Sequence, residues 1–277
     1  MSFFNFVFDF LRMGALSAVL ALVFPMIRVA YGKPYVESLG QIEFDWSRMR
    51  LRFYGEYQPQ PMEKNVDYAQ ARAKAVGNGL MMARDKIAEY HRQHLLSLGE
   101  NADVAGESGL SGGERTAKAS WVASSEYFPD GSVRVQMESV LSRALLKQSL
   151  NLPVQTPPEV PADSRFTGLL LRCSQATAPV AFYRITDESG QLLFSIRDVA
   201  SSAYEKNLMG RWFTDPGAQE LSQLLGPRPA SLDVTFLEKG HFRVHRAAWD
   251  QMMEGQRHLL ERAQIVIALP AGSGESL

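Results

Sequence analysis

The sequence contains one cysteine, Cys173, and almost no net charge. A single cysteine excludes an intramolecular disulfide framework, and a lone thiol is usually a small buried hydrophobic residue. With 29 basic and 30 acidic residues the net charge is −1, so charge predicts no broad basic surface for nucleic acid or anionic lipid. The remaining composition is that of an ordinary globular protein, and 277 residues are enough for two domains.

A long membrane-spanning run is also missing, but a shorter apolar segment lies near the N-terminus. Residues 13–27 carry no charge and lie between Arg12 and Arg28. A span needs about 20 apolar residues, so this run suits the core of a cleavable signal peptide. The small residues Ala30 and Gly32 predict cleavage after Gly32, which makes residues 1–32 the signal peptide and places the mature protein in the periplasm. Two alternatives stay open: an uncleaved helix that anchors the protein in the inner membrane, and a buried core helix.

Two predicted hairpins and a long helix make up the first domain, residues 38–150. Residues 41–46 and 49–57 alternate apolar and polar side chains, as half-buried strands do. Residues 120–128 and 132–141 alternate in the same way around an Asp-Gly pair, where glycine supplies the positive φ that a hairpin turn needs.

Between the hairpins, residues 67 to about 98 have the spacing of an amphipathic helix. Gly77 and Gly79 would each cost about 1 kcal/mol relative to alanine inside a helix, so we expect the backbone to lie close against a sheet at both. Residues 99–113 are rich in glycine, serine and acidic side chains and predict a loop. The apolar stripe predicted to face the sheet consists of Ala69, Ala73, Val76, Leu80, Ala83, Ile87 and Tyr90.

Four prolines within residues 151–163 predict a semi-rigid linker. The second domain, residues 164–270, begins with the apolar run 166–173, which is typical of a central strand. Further hairpins, helical segments and a closing strand at 264–269 follow, and residues 271–277 form a polar tail. The predicted fold class is therefore α+β, with two small domains, each an antiparallel sheet of hairpins packed with one or more helices.

The order of these motifs is informative. The first half shows Gly40 with Trp46-Ser47, then Ala71-Arg72 in the helix, then Asp130-Gly131 followed by Val133 and Val135. This order resembles an exported bacterial envelope family that includes the flagellar basal-disk lipoproteins and the N-terminal domain of the flagellar H-ring assembly protein. Residues 166–171 and 179–185 resemble a module often attached to that domain, so the resemblance covers roughly residues 38–270.

The resemblance implies an envelope location and assembly with other proteins. The lipoproteins of this family carry a cysteine just after the signal peptide, whereas residues 29–34 contain none, so no lipid anchor is expected. The Ala-Arg-Gly that usually follows the first strand of the second module is replaced here by Arg172-Cys173-Ser174. No function tied to that loop is therefore implied.

Candidate chemical residues do not combine into a predicted catalytic, cofactor-binding or metal site. His91 and His94 lie three residues apart in the helix, but no cysteine or carboxylate near them in sequence completes a metal shell. His241 and His245 fall on a predicted strand, where their side chains would share a face roughly 13 Å apart, too far for one ion. Cys173 ends an apolar strand, which favours a structural role over that of a nucleophile.

Three arginines, Arg48, Arg50 and Arg52, are predicted to lie on one face of a strand. Such a face is usually a solvated edge, and this is what we expect here. The alternative is contact with a partner or an anionic surface.

The sequence thus predicts a non-enzymatic periplasmic or envelope-associated protein that acts through protein–protein contacts. Its expected partners are other envelope proteins or copies of itself, within flagellar or cell-surface machinery, and neither nucleic acid nor a cofactor is expected. The alternative is a small-molecule or glycan-binding periplasmic module that uses Trp212 or Trp249 in a cleft of the second domain. An enzyme is the third hypothesis, which a pocket gathering several titratable groups with perturbed pKa values would favour.

Overall fold

The computed structural model describes residues 33–60, 66–95, 119–142, 156–238 and 240–271. The predicted signal peptide, the predicted loop at 99–113, the first part of the predicted linker (151–155) and most of the predicted tail (272–277) lie outside these ranges. The side chains of residues 91–95, with His91 and His94 among them, also lie outside the described part. No described helix is long and apolar enough to cross a membrane.

The described strands and helices follow the order of the predicted elements, and the structure contains further short strands that the sequence does not predict. The strands are β1 (Lys33–Pro34), β2 (Val36–Leu39), β3 (Ile42–Asp45), β4 (Arg50–Tyr57), β5 (Trp121–Tyr127), β6 (Val133–Val140), β7 (Gly168–Cys173), β8 (Arg184–Thr186), β9 (Leu192–Phe194), β10 (Arg211–Thr214), β11 (Pro229–Glu238), β12 (His241–Arg243) and β13 (Ile265–Leu269). The helices are α1 (Tyr68–Leu95), α2 (Ser201–Asn207), α3 (Ala218–Leu225), α4 (Arg246–Met253) and α5 (Arg257–Glu261), with a short 3-10 helix at Ile196–Asp198.

The first sheet has the order β2-β3-β4-β6-β5, and all its neighbours pair antiparallel. The predicted hairpins β3–β4 and β5–β6 are confirmed. Gly131 has a φ of 84° in the second turn. There Asp130 Oδ1 accepts a hydrogen bond of 2.9 Å from the backbone N–H of Ser132, which holds the turn.

Helix α1 packs against β4 and β6 at a point where two glycines meet. A Cβ atom added to Gly79 would lie 2.9 Å from the Cα of Gly55 in β4, so only glycine permits this approach. The prediction is confirmed for Gly79 and wrong for Gly77, around which a Cβ would meet open space.

The stripe of α1 that faces the sheet also differs from the prediction at its start. Ala71 and Ala75 are buried, whereas Ala69 and Ala73 are exposed. Four alanines, at positions 69, 71, 73 and 75, alternate in these first turns, so sequence spacing alone does not select which of them face the sheet. The buried pair lies on the same side of the helix as Gly79, which contacts Gly55. Further along, the predicted residues Ala83, Ile87 and Tyr90 are buried.

The second sheet has the order β1-β10-β13-β7-β11-β12-β8-β9. The α+β class and the predicted central position of β7 are confirmed. The predicted hairpins β8–β9 and β11–β12 are confirmed as antiparallel pairs. The sheet as a whole is mixed and not antiparallel as expected, because β7 runs parallel to both β11 and β13, β10 runs parallel to β13, and β12 runs parallel to β8. Parallel neighbours are joined by long crossovers, which local hairpin signals do not reveal.

One face of the second sheet is only partly covered by a helix. Leu225 of α3 packs with Phe213 and Val266, and its Cβ lies 2.7 Å from where a Cβ on Gly168 would be. Arg172 and Asp233, near the carboxyl end of β7, are exposed on the same face. The helix therefore leaves the carboxyl end of this strand accessible.

The turn between β3 and β4 of the first sheet contacts β10 of the second sheet. The Ser47 hydroxyl donates to the backbone carbonyl of Trp212 at 2.5 Å and accepts from the backbone N–H of Tyr35 at 2.7 Å. Strand β1 pairs antiparallel with β10, next to this contact. A single hydrophobic cluster includes Trp46 from the first sheet and Trp212 from the second, so the two sheets share a core.

Candidate functional site

A cleft of about 600 Å³ lies at the carboxyl end of β7, where the cover of α3 ends. We call it the Cys173 cleft, and its lining includes Arg172, Cys173, Glu188, Asp233, Arg243 and His245. Clefts outside the carboxyl ends of parallel strands are common ligand sites. Parallel pairing of β7 with β11 aligns Arg172 with Asp233 and Cys173 with Val234.

His245 and Glu188 form a hydrogen-bonded pair at one wall of the cleft. Glu188 Oε2 also accepts from the backbone N–H of Arg246, the first residue of α4, at 3.0 Å. Hydrogen bonds from the backbone N–H groups of Glu188 itself and of Arg246, together with His245, lower the pKa of the Glu188 carboxyl. The carboxylate therefore stays ionised and caps the positive end of the helix.

Cys173 is among the residues that line the cleft, and it is buried. Burial raises the pKa of the thiol, and the backbone groups of Gln175 and Phe236 offset this only in part. A nucleophilic cysteine needs the opposite shift, because the thiolate is the reactive form. Among the described residues, His245 bonds to Glu188 and not to Cys173. The three side chains line one cleft without forming the hydrogen-bonded chain of a nucleophile, a base and an orienting acid.

The remaining charges of the cleft are mixed. Arg172 Nε lies 2.9 Å from Asp233 Oδ1, and both side chains are more than half exposed. Exposed pairs of this kind contribute little to stability and are free to rearrange around a ligand. With Arg243 and His245 on the same wall, the cleft offers donors and acceptors of both signs, which suits a small polar molecule.

The predicted histidine arrangement is wrong in one respect. His241 lies on β12, but the strand ends at Arg243, and His245 precedes helix α4. His241 Nε2 instead lies 2.8 Å from Thr186 Oγ1. The described residues contain no group of three His, Cys, Asp or Glu side chains that could hold a metal ion.

The predicted basic face is also corrected. Met49 has a φ of 57°, so the extended strand begins only at Arg50, and Arg48 remains in the turn beside Asp45. Arg50 Nη1 lies 2.6 Å from Glu138 Oε2. Arg52 lies 2.9 Å from Glu43 and 3.4 Å from Glu138. Carboxylates on both neighbouring strands thus neutralise this face.

The two tryptophans named for a ligand cleft do not face solvent. Trp212 is 1% exposed and Trp249 is 6% exposed. A sugar ring stacks on an accessible aromatic face, so neither residue can provide such a platform in this conformation.

An exposed aromatic cluster lies instead at one end of the first sheet. It consists of Tyr68, Tyr127 and Phe128, which are 44%, 52% and 37% exposed, and we call it the aromatic patch. The rings of Tyr68 and Tyr127 meet edge to face with centroids 5.6 Å apart. The Tyr68 hydroxyl donates to the Phe128 carbonyl at 3.4 Å. The patch is therefore an organised surface and not a set of scattered side chains.

The aromatic patch continues along an edge strand. In the part of the chain that the structure describes, β5 pairs on one side only, with β6. At its other end Trp121 is 42% exposed, and the Arg50 guanidinium lies 6.0 Å from the centre of its ring. The sequence does not indicate this surface, because Tyr127 and Phe128 belong to a predicted hairpin and only the fold brings Tyr68 beside them.

Comparison with known protein families and with curated proteins finds no match to this chain.

Proposed function

We propose that this chain is a non-enzymatic protein of the bacterial envelope that acts through protein–protein contacts in a flagellar or cell-surface assembly. The observation that carries the proposal is the aromatic patch at the end of edge strand β5. Aromatic side chains are enriched where proteins bind one another, since they bury much apolar area with few torsions to fix. A strand with one unpaired side can add a strand from another protein.

The buried aromatic residues strengthen this argument. Trp46, Trp212, Phe44 and Phe53 are all at most 1% exposed, so the fold can bury its large rings. Tyr127 and Phe128 remain at the surface beside the edge strand, where exposed apolar groups carry a risk of aggregation. A binding role accounts for their position.

The envelope location rests on the apolar run at residues 13–27 and on the resemblance of the motif order. Cell fractionation tests it: we expect the chain in the periplasmic or membrane fraction, with Lys33 as the first residue if the signal is cleaved. Recovery of the full, unprocessed chain in the cytosol would contradict the proposal.

Assembly is tested on complexes released gently from the envelope. On a native gel the wild-type chain should migrate in a complex larger than one chain. A Tyr127→Ser/Phe128→Ser variant should migrate as a single chain, whereas Met81→Ser, which changes an apolar residue 56% exposed on α1, should not differ from the wild type. Identical migration of all three chains would exclude the aromatic patch as the contact.

A second candidate function is the binding of a small polar molecule, for which the Cys173 cleft is the supporting observation. A bound molecule would stabilise the folded chain, so the midpoint of thermal unfolding should rise in its presence. Arg243→Met should abolish this rise. If no member of a library of polar metabolites raises the midpoint of the native protein, this second function is excluded.

A further inference from the structure

A separate cavity of about 300 Å³ lies at the amino-terminal ends of β10 and β13, away from the Cys173 cleft. We call it the Arg211 pocket. Its described lining contains three cations and no carboxylate, together with neutral amide side chains. The three cations are Lys206, Arg211 and Arg262, and the amide side chains are those of Asn207, Gln223 and Gln264.

Arg211 is the residue on which the inference depends. Its side chain is partly buried, and Nη2 donates to Asn207 Oδ1 at 3.1 Å. Among the described residues Arg211 forms no ion pair, and burial lowers the pKa of its guanidinium, with a partial offset from the charge of Asp45. Asp45 is already held by the backbone N–H groups of Ser47 and Arg48. A guanidinium that is partly buried, with no carboxylate among its described hydrogen-bond partners, is stabilised when an anion accompanies it.

Helix ends explain part of this arrangement. Lys206 lies in the last turn of α2 and Arg262 directly follows α5, where cations offset the partial negative charge of the final carbonyls. Arg262 Nη1 also donates to the carbonyl of Pro158 at 2.9 Å. Arg211 lies on a strand, so helix-end charge does not account for it. Because Lys206 and Arg262 line the same pocket, Arg211 adds a third positive charge to it.

We propose that the Arg211 pocket binds a small ligand bearing an oxyanion group, either a phosphate or a carboxylate. The planar guanidinium matches two oxygens of such a group, and the exposed Lys206 adds a second charge to the lining. A volume near the lower limit of small-molecule sites, about 300–1,000 Å³, favours a compact ligand over a segment of another protein. This inference goes beyond the proposed function and does not depend on the aromatic patch.

Calorimetric titration of the full chain with inorganic phosphate and, separately, with citrate tests the proposal, with chloride keeping the ionic strength constant. We expect at least one of the two to bind. Lys206→Met and Arg211→Met should each weaken that binding at least about tenfold, the effect of losing one hydrogen bond to a charged group. The control Arg197→Met removes an exposed arginine outside the pocket and should leave binding unchanged.

The two titrations distinguish a phosphate site from a carboxylate site. If neither probe binds at millimolar concentration, or if Arg197→Met weakens binding as much as Lys206→Met, the proposal is wrong. Lys206 is exposed, so its replacement decides the matter even if the Arg211 variant fails to fold.

Discussion

Ser47 and Trp212 are joined by a hydrogen bond of 2.5 Å from the Ser47 hydroxyl to the Trp212 carbonyl. The same hydroxyl accepts from the Tyr35 backbone N–H, so it connects the N-terminal strands, the first hairpin and the second sheet. Ser47→Ala would leave two buried backbone groups unsatisfied and should lower the free energy of unfolding by about 1–3 kcal/mol.

Urea unfolding measures this effect. The control Ser124→Ala alters an exposed serine on β5 and should change stability by less than about 0.5 kcal/mol. Equal effects of the two substitutions would show that the junction contributes nothing particular to stability.

The two glycines of α1 provide a matched pair. Gly79→Ala would place a Cβ 2.9 Å from the Gly55 Cα and should destabilise the fold by about 1–3 kcal/mol. Gly77→Ala meets open space and should stabilise it by about 0.5–1 kcal/mol, the difference in helix propensity. Thermal unfolding of both variants checks the prediction, and a stabilised Gly79→Ala would contradict the packing of α1 on β4.

Glu138 forms ion pairs with Arg50 and Arg52 of β4, and its side chain is only 9% exposed. Glu138→Gln should lower the free energy of unfolding by about 1–3 kcal/mol, because Arg50 and Arg52 lose a shared charged partner. Glu56→Gln breaks a more exposed pair with Arg134 and should cost less than about 1 kcal/mol. Chemical unfolding of both variants in the same buffer gives the comparison, and equal losses would mean that the buried position of Glu138 has no energetic effect.

We expect the free energy of unfolding to depend on pH through His258. Burial and the charge of Arg262 lower the pKa of His258 below its ordinary value of 6.5, and its Nε2 lies 3.1 Å from Ser164 Oγ. The unfolded chain therefore takes up a proton at this residue more readily than the folded chain does. The stability contribution is fully present above about pH 6.5 and is lost as the pH falls through the folded pKa.

Urea unfolding at about pH 7.5 and about pH 5.5 measures this loss. His258→Gln should lose less stability between the two values than the wild type does. If the two proteins lose the same amount, His258 does not titrate as described.

Local patterns predicted the elements whose signals lie within one segment. The Asp-Gly turn at 130–131 is one example, because glycine is the residue that adopts its positive φ. Strand β7 is another, because a buried central strand appears in the sequence as a continuous apolar run. Strand β10 was not predicted, because it is short and three of its four residues, Trp212, Phe213 and Thr214, are buried without alternation. Strand β1 has only two residues, both exposed, so no alternation in the sequence indicates it.

The candidate sites were harder to predict than the fold. Glu188 and His245 lie 57 residues apart, and only the parallel pairing of β8 with β12 brings their loops together. Cys173 and His245 lie far apart in the sequence, and no local pattern indicates that both line one cleft. Tyr68 joins the aromatic patch through the packing of α1, which periodicity alone does not place relative to β5.

The central claim is that the aromatic patch contacts another protein in the envelope. The most direct measurement replaces Tyr127 with a photo-activated crosslinking amino acid in living cells, and Met81, exposed to a similar degree, serves as the control position. The account predicts a protein adduct from position 127 that mass spectrometry identifies as an envelope component or a second copy of this chain, with none from position 81. Adducts from neither position, or equal adducts from both, would contradict it.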